Sequence, residues 1–310
     1  MNMGNYEKSE LLYHEAIAIQ GKKLGKRHPD YAESLNNLAS LYKLMGDYEK
    51  VEPLYLEAKI ILEIAVGTEH PHYAQILKNL ANLYLNLGNY KKAELFYLNA
   101  KDIREKILGT EHPDYAGIMS NLALLYYKMG DYKKSESFYL ESKAIYEKAL
   151  GKEHQNYAFC LSNLAELYLK VGDFEKARSL HLEAITVWKR TLGKEHPYYA
   201  QSLNGLAILY QDMGNYDKAE LLHLEAKAIL EKALAKEHLE YADALNQLAM
   251  LNWTTGNFDA ANFFLLEAGE IEKLLLVKGT RYLSEQELAS YQTNFADGMN
   301  RFFSFAHAQP

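Results

Sequence analysis

Glycine recurs at positions 4, 46, 88, 130, 172, 214 and 256, each time followed by Asn or Asp and then by Tyr or Phe. A spacing of 42 residues, kept over seven marks without a slip, constrains this chain more than any other feature. A unit that repeats in register is one supersecondary element stacked on copies of itself. A second series keeps the same period: His28, His70, His112, His154, His196 and His238, each followed three residues later by Tyr31, Tyr73, Tyr115, Tyr157, Tyr199 or Tyr241. The stretches Gly67–Tyr97 and Gly109–Tyr139 are nearly the same sentence written twice.

Each repeat reads as two helices. Tyr73, Leu77, Leu80 and Tyr84 before the glycine, and Tyr90, Ala93, Tyr97 and Ala100 after it, fall at the i, i+3/i+4, i+7 spacing of an amphipathic helix. Pro29, Pro71, Pro113 and Pro197 suit the first turn of the first helix (helix A), where a missing N–H costs nothing. The glycine ends helix A, and the Asn or Asp after it caps the second helix (helix B). Pro53 falls early in a helix B, where a lost backbone bond and a slight kink are expected.

Composition narrows the function. The chain has 310 residues, 48% of them hydrophobic, which is ample for a packed core. Its formal net charge is -7 and no Lys/Arg block stands out, so the phosphate-neutralising stripe of a nucleic-acid binder is missing. With one cysteine, Cys160, neither an intrachain disulfide nor a multi-cysteine metal site can form. No signal-peptide pattern or membrane-spanning apolar run is present, and the expected location is the cytoplasm.

The stretch Asn79–Ala100, "NLANLYLNLGNYKKAELFYLNA", resembles the tetratricopeptide repeat. Leu80 and Ala81 fall at its Leu and small positions, Tyr84 at its helix A Tyr, Gly88 at its turn and Ala93 at its close helix crossing. The usual period of that family is about 34 residues. The eight extra residues and the "LGxEHPxYA" linker are similar to the kinesin light chain type. The resemblance implies an all-α fold, a right-handed α-solenoid superhelix of stacked helical hairpins. Residues 1–28 are expected to hold part of a first repeat, mostly its helix B; residues 29–277 six hairpins; residues 278–310 a capping or connector helix.

In such arrays helix A faces line a concave groove, and the resemblance implies that protein or peptide ligands bind there. One column on that face is Asn37, Asn79, Asn121 and Asn163, continuing as Gly205 and Gln247. An amide both donates and accepts, so a ladder of them can grip an extended backbone. In kinesin light chain relatives such asparagines do so, and here the carry-over fails at Gly205. The same asparagines could instead bond within or between helices, and both readings stand. Two variable columns are candidates for specificity: Lys43, Leu85, Tyr127, Leu169, Gln211 and Trp253, and Ser40, Asn82, Leu124, Glu166, Ile208 and Met250. Leu124, Tyr127 and Leu169, flanked by Lys128 and Lys170, are candidates for a pocket around an apolar anchor; half-buried packing is the other reading of Tyr127 and Leu169.

Other chemistry is not supported. The six histidines stand one per repeat, too far apart for a shared zinc, and are expected to serve the linker turn and the start of helix A. Cys160 aligns with Ser34, Ile76, Ile118, Ser202 and Ala244, a column of small or apolar residues that fits an inert packed thiol. The many glutamates read as solvated helix surface. No phosphate loop, HExxH or GxSxG occurs, so these residues are expected to need no cofactor and to carry no catalytic site.

"MNMGNY" aligns with "QDMGNY" at 211–216, so the chain is expected to open at the end of a helix A, either because upstream sequence was removed or because the first hairpin is incomplete. After the repeats, Ser284 and Glu287 form a capping box for a helix with Leu288, Tyr291, Phe295, Met299 and Phe302 on one face. This segment is similar to the connector that precedes a caspase-like peptidase domain in bacterial CHAT proteins. That resemblance implies a sensor arm for a protease lying beyond Pro310, and in its most specific form a partnership with an RNA-guided CRISPR effector. Two further expectations stay open: a groove occupied by the chain's own 284–303 helix or protease, and self-assembly through the N-terminal edge.

Overall fold

The computed structural model describes residues 3–279 apart from 46, 235 and 237. They form thirteen helices and no strand: α1 (Met3–Lys23), α2 (Pro29–Met45), α3 (Tyr48–Ala65), α4 (Pro71–Asn86), α5 (Tyr90–Leu108), α6 (Pro113–Lys128), α7 (Tyr132–Leu150), α8 (Gln155–Val171), α9 (Phe174–Thr191), α10 (Pro197–Asp212), α11 (Tyr216–Ala233), α12 (Leu239–Thr254) and α13 (Phe258–Gly279). Even-numbered helices are helix A of their repeats, and the odd-numbered helix that follows is helix B. The fold is an all-α solenoid of helical hairpins. It divides into two compact units, one holding α1–α5 and the other α6–α13. The helix expected from Ser284 onward lies outside the described residues.

The periodic residues explain where each helix starts and stops. The histidine before each helix A accepts a hydrogen bond at Nδ1 from the backbone N–H two residues on: His70 from His72 at 3.2 Å, His112 from Asp114 at 3.1 Å, His154 from Asn156 at 3.1 Å, His196 from Tyr198 at 3.2 Å. His28 and His238 do the same for Asp30 and Glu240. This occupies one of the four donors a helix start leaves open. Helix B is capped in turn by Asn89, Asp131, Asp173, Asn215 and Asn257, each accepting from the N–H three residues on. Asp47 departs from this series: its carboxylate makes no cap bond and pairs instead with Lys50 at 2.7 Å. α3 runs unbroken through Pro53. Gly130 takes φ +81° between α6 and α7, in the left-handed region where a Cβ would be strained.

Packing repeats as faithfully as the turns. Ala116, Ala158, Ala200 and Ala242 are fully buried, as are Ala123, Ala165, Ala207 and Ala249, so the helices cross closely. Where a serine takes a small position on helix B, its hydroxyl is satisfied by backbone: Ser135 donates to the Ala123 carbonyl and Ser142 to that of Ala116, both at 2.8 Å. A tyrosine near the end of helix A reaches back to the preceding helix B. Tyr42 donates to Glu10 at 2.7 Å, Tyr168 to Glu136 at 2.6 Å, and Tyr84 to Glu52. A lysine of the following helix B lies over the same rings, as Lys92 over Tyr84 at 4.4 Å and Lys176 over Tyr168 at 4.6 Å.

Candidate functional site

In the second unit the helix A faces enclose an open concavity of about 730 Å³. Its wall comes mainly from four consecutive A helices: Tyr127 of α6; Glu166, Leu169 and Lys170 of α8; Gln201, Asn204, Gly205, Ile208 and Asp212 of α10; Glu240, Asp243 and Gln247 of α12; Leu230 of α11 completes it. Five sequence candidates, Tyr127, Glu166, Leu169, Lys170 and Ile208, therefore stand together. Two members of the asparagine column that are not asparagine, Gly205 and Gln247, join them.

The remaining candidates are placed elsewhere. Asn121 and Asn163 are half-buried and make no side-chain hydrogen bond to another described residue. Leu124 packs against the core of the second unit, and Lys128 is exposed at the end of α6. Trp253 turns its ring against Phe258, with centroids 4.9 Å apart. In the first unit Asn37 lines a smaller concavity of about 330 Å³, beside Asn36, Gln75 and Arg104. Asn79 is engaged within the chain: its Oδ1 accepts from Gln75 at 3.0 Å and its Nδ2 donates to Asn36 at 2.7 Å. Asn36 donates in turn to Asn37 at 3.2 Å, so four amides of α2 and α4 form one chain of bonds. Lys43 and Leu85 are half-buried, and burial pulls the Lys43 ammonium below its ordinary pKa.

Gly205 is where the amide ladder breaks, and the cause lies behind it. His181 of α9 takes the helix B position that Tyr55, Tyr97 and Tyr139 hold in earlier repeats. A Cβ at position 205 would stand 2.4 Å from His181 Cε1, so no side chain fits there while the ring stays. The imidazole is 1% exposed and neither ring nitrogen has a partner. Burial lowers its pKa to about 4, and it is neutral at physiological pH. His223, one repeat on, is held the same way at about 4, with Nδ1 bonded to Asn204 Oδ1 at 2.9 Å.

Electrostatically the concavity is acidic. Glu166 meets solvent across the open side and protein on the others; this enclosure raises its carboxyl pKa, and the Lys128 charge opposes the rise. Glu166 and Ile208 stand in the second of the two variable columns named above as candidates for specificity. The column Glu33, Gln75, Gly117, Phe159, Gln201 and Asp243 was missed altogether, although four of its members line the two concavities. The available signal was position: it stands one helical turn before the asparagine column, on the same face.

Among the described residues no three His, Cys, Asp or Glu side chains are grouped to hold a metal ion, and no helix is long and apolar enough to cross a membrane. Cys160 is 1% exposed, with its thiol donating to the Tyr139 carbonyl at 3.4 Å. Burial pushes its pKa up to about 11, which keeps it a thiol rather than the nucleophilic thiolate.

The model of the tetratricopeptide repeat matches at residues 1–63, 72–148, 114–186, 161–232 and 205–271. No curated protein sequence matches the chain. Among solved structures, a putative kinesin light chain with nearly identical TPR-like repeats from Podosopora anserina is 27% identical, covering 66% of this chain and 96% of its own, with a TM-score of 0.54. BtubC (BKLC) from P. vanneervenii is 24% identical over 79% of this chain and 92% of its own, with a TM-score of 0.58. Aspartyl phosphate phosphatase F from Bacillus subtilis is 15% identical over 94% of this chain and 73% of its own, with a TM-score of 0.66. With family matches over most of its length and a hairpin in each period, this chain belongs to the tetratricopeptide repeat family.

Proposed function

We propose that the chain is a protein interaction scaffold that holds an extended segment of a partner against its helix A faces. The observation that carries this reading is the concavity of about 730 Å³, in which four consecutive A helices bring apolar Tyr127, Leu169 and Ile208 beside charged and amide groups. Such a mixture suits a side-chain anchor with polar groups around it. The half-buried, unengaged amides of Asn121 and Asn163 support a backbone grip on the same helices. Asn79, already bonded to Gln75 and Asn36, contributes less to that grip unless a ligand displaces those bonds.

In its finer form the proposal makes the array the cytoplasmic sensor arm of a larger bacterial protein with a caspase-like CHAT protease. The groove ligand then comes in trans, an RNA-guided CRISPR effector being the most specific candidate, or in cis from the protease itself. A fold neighbour gives a parallel: a STAND signal-transduction ATPase from Pyrococcus horikoshii carries a tetratricopeptide repeat sensor, and this chain covers 43% of that protein at 20% identity and a TM-score of 0.61.

A displayed library of protein fragments tests the scaffold reading. Fragments retained by the wild type and lost with the Tyr127→Ala, Leu169→Ala double variant are expected. Equal retention by the two proteins would refute a groove on these helices.

A further inference from the structure

The wall of the concavity in the second unit carries more acidic than basic groups. Of its charged wall residues, Glu166, Asp212, Glu240 and Asp243 are acidic and only Lys170 is basic. Among the described residues, Glu166, Asp212 and Glu240 have no ion-pair partner. Acidic groups at the hairpin bases are treated differently: Glu69 meets Lys106 at 2.8 Å, Glu195 meets Lys232 at 2.6 Å, Glu111 meets Lys148 and Glu153 meets Arg190. Carboxylates gathered on one concave wall repel each other; Lys170 and the nearby Lys128 offset part of that charge, and a cation from outside offsets more.

A second, independent feature marks the same wall. Gly205 leaves it bare, and directly behind that gap lies the His181 ring, 1% exposed, with both nitrogens unpartnered. An unpaired polar ring in a packed helix interface costs stability, and each such group calls for a physical reason, of which completion by a ligand or water is one. Tyr127, Leu169 and Ile208 add apolar surface to the wall.

We infer that this concavity takes a segment of a partner protein in which an apolar side chain is flanked by lysine or arginine. The inference rests on the scaffold reading and adds the chemistry of the ligand. The apolar side chain meets Tyr127, Leu169 and Ile208, while the cationic groups meet Glu166, Asp212 and Glu240. Lys170 disfavours a second cation at its own end and so sets the polarity of the segment.

Three pools of fluorescein-labelled random peptides test it, each with a central leucine and flanks drawn from Lys, Arg and Ser, from Asp, Glu and Ser, or from Ser, Thr and Gln. Fluorescence polarisation with the full chain is expected to show tightest binding by the basic pool, weakening from about 50 mM to about 500 mM salt as screening sets in. The Glu166→Gln, Asp212→Asn, Glu240→Gln variant is expected to bind that pool about tenfold more weakly, the sum of three modest partly exposed pairs. Its thermal melt checks that it folds, and the salt titration of the wild type reads the same charge dependence without any substitution. Tighter binding by the acidic or neutral pool, or no effect of the three substitutions and of salt, overturns the charge inference and leaves the groove. Binding by none of the pools overturns both.

Discussion

At the scale of single residues, the second unit carries a pair of buried neutral histidines where earlier repeats place tyrosine. His181 and His223 are 1% and 0% exposed, and burial lowers each pKa to about 4. An unfolded histidine titrates near 6.5. Between pH 6.5 and about 4 the unfolded chain therefore binds protons that the folded chain refuses, so stability falls as pH is lowered through that window and is unaffected by these groups above it. For two such groups the slope is about 2.7 kcal/mol per pH unit at its steepest. The His181→Leu, His223→Leu variant, compared with wild type by urea unfolding at several pH values, should lose that part of the slope; parallel curves would show that neither ring is held neutral. The histidines at 181 and 223 were visible in the sequence, but the link between His181 and Gly205 was not. The two positions are 24 residues apart on different helices, and only packing shows that one excludes a side chain from the other.

At the scale of the element, helix boundaries follow from a few repeated side chains. Histidine Nδ1 as the cap of every helix A is a neutral-imidazole interaction, since protonation at Nδ1 removes the accepting lone pair. Replacing His112 by Ala leaves the Asp114 N–H without its acceptor and is expected to cost about 1 kcal/mol, as for other N-caps. His112→Asn, which restores an acceptor, should recover most of it in denaturant unfolding; equal losses in both variants would assign the effect to something other than the cap. Much at this scale was legible. The Gly and His series announce both ends of helix A, because turns and caps depend on local chemistry alone. The lysine of "GDYKK" was less so: Lys134 reads as surface charge, yet it lies over the Tyr126 ring at 4.7 Å. The acidic wall was least legible, since Glu166, Asp212 and Glu240 come from three helices and only stacking makes them neighbours.

At the scale of the whole molecule, the residues Glu111–Lys278 form a compact unit that contains the concavity and Cys160. Stability in a stacked array is a sum of hairpin and neighbour terms, so a stretch with its own core is expected to fold by itself. A fragment spanning that unit should be helical by circular dichroism and melt cooperatively. Its thiol should stay unreactive toward a disulfide reagent until denaturant unfolds it, because Cys160 is 1% exposed and held protonated by burial. A thiol that reacts at once would show that the unit does not close without the rest of the chain. The bases of the four hairpins from α4–α5 to α10–α11, finally, carry their own fastening: the glutamate beside the capping histidine reaches the end of the helix B that follows, as Glu69 does to Lys106 and Glu195 to Lys232. A run of codons for one such hairpin, duplicated or lost in register, carries both halves of that fastening with it. The gene can thus lengthen or shorten its protein by whole steps in a single recombination, with no step that leaves a hairpin open.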